Sequence, residues 1–226
     1  MKKVYFTHDF IDFFKELGEN NNKVWFDEQK SRYESVVKLP FLNFVIDALQ
    51  VLNSISPLIL PDPKKCVFRI NRDVRFSADK SPYKTHASAV LSEDGTKGNH
   101  KPSFYIDFSD KSVFIGGGAY FIDNKMLPLV REFIAENYND FISIIEANKF
   151  KSFYGKIQGE ENKKLTGNLK GLEKEFPLIL KKQYYYMKTF DSSILLDDKL
   201  MQKLKEGLEA GLDFNNFMTK AVNYKG

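Results

Sequence analysis

The stretch CVFRINRDVRFSADKSPYKTHASAVL, from Cys66 to Leu91, decides the reading of the chain. Phe68, Ile70, Val74 and Phe76 share one parity, and Arg69, Asn71, Asp73 and Arg75 share the other. Period-two alternation predicts a strand over residues 66–76 with one apolar and one charged face. Arg72 interrupts the apolar parity, so a bulge or bend is expected beside it. Ser77 to Lys84 reads as a loop, with Ser81-Pro82 favouring an extended turn, and Thr85 to Ser92 as the next strand. Further on, Phe104, Ile106 and Phe108 alternate through Ser103–Ser109, Asp110-Lys111 makes a short turn, and Ser112–Ile115 returns. These segments predict an antiparallel meander.

Helices flank it. Thr7 is placed to cap a helix carrying Phe10, Phe13, Phe14 and Leu17, ending near Gly18 and Asn20-Asn21-Asn22. A second helix is predicted from Lys23 to Lys38, broken or restarted by Pro40, and a third to about Ser54 on Phe41, Phe44, Val45, Ala48, Leu49 and Leu52. Pro57, Pro61 and Pro63 then enforce an extended connection. Beyond the meander, Asp123 precedes a helix on Leu127, Val130, Phe133 and Ile134, followed by a short one over Phe141–Glu146. Phe150–Tyr154 and Gln183–Phe190 read as strands, Glu160–Gly171 as a mobile loop, and the C-terminus as two helices, to Leu208 and over Phe214–Val222. The expectation is an α+β fold: a central, mainly antiparallel sheet, an N-terminal helical segment and further helices packed on the sheet. It reads as a single domain over 1–226, helical over 1–56, sheet-rich over 64–155 and helical again over 191–226.

Composition narrows the function classes. Hydrophobic residues at 42% and aromatics at 15%, with 21 Phe and 11 Tyr, supply a packed core. The lone cysteine, Cys66, forms no internal disulfide, which points to a reducing, cytoplasmic setting. His8 and Asp9 interrupt the N-terminus before a signal-peptide core can form, and no apolar run is expected to reach bilayer length. Charge is the sharper signal. Arg69, Arg72 and Arg75 are three of only five arginines, against 29 lysines. Residues 64–86 hold seven Lys/Arg and two Asp, whereas the rest of the chain carries 27 basic and 28 acidic residues. Nucleic-acid binding usually spreads positive charge over a broad face; a local focus suits a compact anion.

Arginine presents a rigid fork that matches phosphate or carboxylate. Arg69, Arg72 and Arg75, oriented by Asp73 and Asp79 and completed by Lys80, Tyr83 and Lys84, could therefore clamp an anion. The same residues could equally form an internal Arg–Asp network. Tyr83, His86 and Asp73 are the candidate proton carriers, should the pocket be catalytic. Gly116-Gly117-Gly118 between strand and helix could let backbone approach a phosphate, with Arg131 reaching back; close sheet packing demands glycine as well. Asn21, Asn22 and Trp25 read as a lid or, more simply, as a helix-capping turn with a core tryptophan. His8, His86 and His100 are unclustered and no metal or dinucleotide fingerprint occurs, so neither metal nor cofactor is expected.

The words FRINRDVRFSADKSPYKTH (Phe68 to His86) resemble the signature of the bacterial and fungal family called domain of unknown function 2461. ENNNKVWFDEQKSRYE (Glu19 to Glu34), FYIDF (Phe104 to Phe108) and FIGGG followed by a helix bearing Arg131 agree with it in order. The resemblance implies an α+β domain and names no activity. The expected function is a pocket for a small anionic ligand, phosphate- or carboxylate-bearing, with the reaction and oligomeric state open. The rivals are a nucleic-acid-binding module and a protein-interaction domain whose arginines are purely structural; no membrane association is expected.

Overall fold

The computed structural model describes residues 3–57, 60–98 and 101–226. Two compact units divide the chain, interleaved in sequence: Met1–Lys97, Tyr105–Ile115 and Thr189–Lys205 make the first, and Gly98–Phe104, Gly116–Lys188 and Glu206–Gly226 the second. The strands β1 (His86–Leu91), β2 (Ser103–Ser109), β3 (Ser112–Ala119) and β4 (Tyr184–Asp191) form an antiparallel sheet in the order β1-β2-β3-β4, so the fold is α+β.

In the first unit, α1 (His8–Glu19) buries Phe10, Phe13, Phe14 and Leu17 at helical spacing. Asn22 caps α2 (Lys23–Glu28), its side chain accepting from the Trp25 amide at 3.0 Å. A single helical turn, α3 (Lys30–Arg32), runs into a π-helical turn, Tyr33–Lys38, and then α4 (Leu39–Ile55). The chain therefore does not break at Pro40. The ring cannot donate a helical bond, and the wide turn just before it, where the Leu39 amide donates to the Glu34 carbonyl, carries the helix through.

The resulting run, Lys30–Ile55, is long and apolar enough to cross a membrane by length and composition, contrary to the expectation that no such run exists. Its apolar face is used inside this unit: Phe41, Phe44, Val45, Ala48 and Leu49 are buried. Phe108 of β2 is the hub, with ring centroids 5.1 Å from Phe44, 5.3 Å from Phe41 and 5.6 Å from Phe6.

The stretch 66–76 is not a ladder strand. Asp62 caps a helical turn, α5 (Pro63–Cys66), with Pro63 at its start. Residues 67–72 then run extended and pair with residues 82–89 through the isolated bridges Val67–Ala89 and Asn71–Tyr83. Register slips within this ribbon. The Phe68 amide donates to Ser88, yet the Lys84 amide donates to Ile70, so Arg69 alone faces the three residues 85–87. The expected irregularity is thus centred on Arg69, and pairing ends at Arg72. Beyond it, short side-chain bonds shape a loop in place of a ladder, and Phe76 is 96% exposed, not part of an apolar face.

In the second unit lie α6 (Leu127–Glu136), α7 (Tyr138–Glu146) and α8 (Asn148–Tyr154). The last corrects the strand expected over Phe150–Tyr154: Phe150 and Tyr154 are four residues apart and both buried, as one helical face requires, and Gly155 at φ +77° terminates it. The C-terminus forms one helix, α9 (Leu200–Val222), and not two: Gly207 and Gly211 stand inside it without ending it. Residues 160–171 are anchored: the Lys182 amide donates to Glu160 at 2.7 Å, the Asn162 amide to Leu180 at 2.8 Å, and Leu165 and Leu169 are buried.

Candidate functional site

The cleft that receives part of the arginine ribbon lies in the first unit. About 380 Å³ in volume, it is walled by Asp27 of α2, Lys30 of α3, Tyr33, Glu34 and Lys38 of the π-helical turn, and Arg69, Asn71 and Tyr83 of the ribbon. Local chemistry fixes its frame. The Asn21 side chain donates to the Tyr83 carbonyl at 2.9 Å and accepts from the Tyr83 amide at 3.1 Å, acting as a surrogate strand. Phe26 stacks on the Tyr83 ring at 4.0 Å. The Asn21–Trp25 connection thus caps α2 and pins the ribbon.

The charges around this cleft divide into two kinds. Lys38 bonds Glu34 at 2.8 Å and Lys23 bonds Asp27 at 2.6 Å. Lys30 and Arg69 have no hydrogen-bond or ion-pair partner among the described residues. Two cations therefore line one concavity without a direct bond to a carboxylate among the described residues, and Asn71 adds a neutral amide. Tyr33 adds a hydroxyl whose pKa burial, followed by the nearby Glu34 charge, raises to about 12, keeping it a donor at neutral pH.

The other expected ligands are distributed elsewhere. Arg72 pairs with Asp79 and donates to the Ser81 carbonyl at 3.2 Å. Arg75 binds Asp73 at 2.7 and 3.0 Å. Lys80 donates to the Val74 carbonyl at 2.9 Å. Asp79 also accepts from the Ser81 amide and hydroxyl, and these bonds, ahead of Arg72, hold its carboxyl down at about 2. Loop 72–81 is thus cross-tied to itself. Gly116–Gly118 and Arg131 belong to the second unit and do not join this cleft. The glycines lie inside β3, where a Cβ on Gly117 would stand 2.6 Å from the Tyr186 hydroxyl and one on Gly118 2.4 Å from the Tyr184 carbonyl. Arg131 is buried and donates to the carbonyls of Leu180 and Lys181 at 3.0–3.3 Å. His100 lies outside the described residues.

A second polar cluster sits on the sheet. His86 of β1 places Nε2 3.4 Å from Oδ2 of Asp107 on β2, and the Tyr105 hydroxyl donates to that same oxygen at 2.9 Å. Lys84, half-buried, holds its ammonium 5.1 Å from the Phe68 ring centre; burial first, then Arg69, lowers its pKa.

The family model described as conserved hypothetical protein (DUF2461) matches residues 9–217. The chain belongs to this family. Within DUF2461, the match spans both the cleft and the His86–Asp107 cluster. No curated protein matches the chain.

Sequence reasoning passed over Lys30, Tyr33, Tyr105 and Asp107. Two signals mark them. Asp27, Lys30, Glu34 and Lys38 recur every three or four residues, which is one helical face. Asp107 is a carboxylate between Ile106 and Phe108 in an otherwise buried strand, a placement that requires polar partners.

Proposed function

We propose that the cleft binds a small anion, phosphate- or carboxylate-bearing, between Lys30 and Arg69. The supporting observation is that these two cations line one concavity and lack internal partners, whereas Arg72 and Arg75 are already matched to Asp79 and Asp73. Both cations are exposed and line the same concavity, so an anion entering it gains from both charges while neither has to leave water first. Arg69 supplies a planar fork and Lys30 a compact charge; Asn71 and Tyr33 add directional, neutral donors. The aromatic wall of Phe26 and Tyr83 gives a low-dielectric backing that strengthens such bonds. The π-helical turn adds weight, since turns of this kind often occur where a helix shapes a site. The buried, free Cys66 suits a reducing compartment and an intracellular role.

A thermal-shift titration with inorganic phosphate, malate and phosphoenolpyruvate tests this reading. A bound ligand stabilises by mass action, about 2.7 kcal/mol at a hundredfold excess over its dissociation constant. Arg69→Ala and Lys30→Ala should each remove one charge-assisted bond, about 1.5–3 kcal/mol, and so weaken binding roughly 10- to 100-fold. Neither should lower the melting temperature of the free protein noticeably. Arg75→Ala should leave binding unchanged at moderate salt. A ligand response that survives the Arg69→Ala/Lys30→Ala double change refutes the site.

A further inference from the structure

Among the described residues, Asp107 is the only buried carboxylate. Its strand neighbours Ile106 and Phe108 are fully buried, so the carboxylate is held against the apolar grain of β2. One oxygen accepts from Tyr105 at 2.9 Å and faces His86 Nε2 at 3.4 Å. A structural hydrogen bond at this position needs only a neutral amide. A carboxylate is the group that holds an imidazole with Nε2–H inward and stabilises it once protonated. That tautomer leaves Nδ1 as the acceptor on a ring whose side chain is one-third exposed. The separation is longer than an ideal bond, as catalytic contacts commonly are without substrate.

The cluster uses ribbon side chains other than the cleft's cations, although the Arg69 charge reaches Lys84. Arg69, Asn71 and Tyr83 share one parity of the ribbon and line the cleft, joined there by Ile70 of the other parity. Phe68 and Lys84 have the other parity, touch each other, and Phe68 meets the edge of Tyr105 at 6.2 Å. His86 follows Lys84 in the same parity. The groups acting on the imidazole are therefore Asp107, reinforced by Tyr105, from β2 and Lys84 from the residues leading into β1.

We propose that His86 is a proton acceptor for a hydroxyl-bearing substrate or an attacking water, with Asp107 as its positioning residue and Lys84 beside the oxygen that loses the proton. In this step the O–H bond breaks, the proton moves to Nδ1, and the electron pair stays on oxygen facing the Lys84 ammonium. That electron pair then forms the bond to the carbonyl carbon of an ester such as the probe, the bond from that carbon to the leaving oxygen breaks, and the imidazolium, held by the Asp107 carboxylate, returns its proton to the leaving oxygen, so no external oxidant or reductant is required. Burial lowers the His86 pKa, Asp107 opposes that and Lys84 adds to it, which keeps the ring neutral and able to accept at neutral pH. The assignment stands independently of the anion cleft.

The test uses the full chain and 4-nitrophenyl acetate as probe, from pH 5 to 9, alongside His86→Gln, Asp107→Asn and Lys84→Met. Wild-type hydrolysis should exceed that of His86→Gln by at least about tenfold, a modest share of the 10²–10⁴-fold typical of general-base catalysis. Its rate should rise with pH along a curve centred below about 6.5. Asp107→Asn removes the charge favouring the imidazolium, so the curve should move to lower pH and its plateau should fall. Lys84→Met should lower the plateau. A wild-type rate equal to that of His86→Gln overturns the proposal, as does an Asp107→Asn profile superimposable on the wild type. Should Asp107→Asn fail to fold, ¹⁵N NMR of the wild-type ring decides: a proton on Nε2 supports the assignment, and a neutral ring protonated on Nδ1 overturns it.

Discussion

The same substitution, glycine to alanine, should have opposite signs at two helical positions of this chain. Gly18 lies near the end of α1, exposed, and a Cβ built on it meets nothing nearer than the Thr85 methyl at 3.9 Å. Alanine there only restricts the unfolded chain and improves helix propensity, a gain of about 0.5–1 kcal/mol. Gly211 lies inside α9, and its Cβ would stand 2.1 Å from the Tyr186 hydroxyl and 2.5 Å from its ring carbon. The ring has no room to withdraw. Phe150, Tyr154 and Phe214 surround it at 5.2, 4.3 and 5.2 Å, and the backbone of Gly117 abuts its hydroxyl.

Overpacking of this kind costs about 1–3 kcal/mol, and displacing the hydroxyl also loses its bond to Asn215, a further ~1 kcal/mol. Set against a propensity gain of about 1 kcal/mol, the net loss for Gly211→Ala is about 1–3 kcal/mol. In a chain of this size each kcal/mol moves the melting temperature by about 2–4 °C. Differential scanning calorimetry should therefore show Gly18→Ala about 1–4 °C above the wild type and Gly211→Ala about 2–12 °C below it. A Gly211→Ala protein melting within a degree of the wild type would falsify the close-packing account of Gly211 and Gly117.

Three further outcomes follow from named contacts. Arg32 grips Asp9 and Glu16 with bonds of 2.5–3.0 Å, tying α3 to α1, so Arg32→Ala should cost about 1–2 kcal/mol in a chemical melt. Arg32→Lys should recover less than half, lacking the fork. Tyr186→Phe leaves the Asn215 and Gly211 acceptors without their donor and should cost about 1–2 kcal/mol by thermal denaturation. Asp79, held at about 2, is a carboxylate with a folded pKa below its unfolded value near 4. Its ties to Ser81 and Arg72 contribute fully above about pH 4 and are lost as pH falls toward 2. The amide resonances of residues 77–81 should shift in that window, and Asp79→Asn should show the acid pattern already at neutral pH.

Regular periodicity was legible in the chain, and side-chain bonding was not. The spacing of Phe10, Phe13, Phe14 and Leu17 specifies α1, and the alternation of Phe104, Ile106 and Phe108 specifies β2, because each pattern repeats the period of its element. The segment Arg72–Phe76 alternates just as cleanly and is no strand. Asp73 and Asp79 bond the neighbouring arginines and amides, and those local bonds win where no partner strand is offered. Phe150–Tyr154 misleads because five residues are too few to separate a period of two from 3.6. At the cleft, Arg69 was legible as an anion ligand by residue type. Its separation from Arg72 and Arg75 was not, since charge counts do not reveal which guanidinium has already found a carboxylate. Lys30 was hidden by distance along the chain: the Asn21–Tyr83 bonds and the Phe26–Tyr83 stack bring the first helices against the ribbon.

The size of the register slip explains how one ribbon serves two polar faces. A slip of one residue exchanges the two sides of a strand. Here residue 68 is matched with 88 and residue 70 with 84, a slip of two, so parity is preserved through the irregularity. Tyr83 and Asn71 therefore stay toward the cleft with Arg69, while Lys84 stays with Phe68, and His86 keeps the side of Asp107. The surplus residues on the 85–87 side let the chain bend at Arg69 without pulling His86 from its carboxylate. An even slip is thus what permits an irregular, functional backbone to coexist with two separately specified side-chain surfaces, and it accounts for Arg69 being the ribbon guanidinium left facing open space.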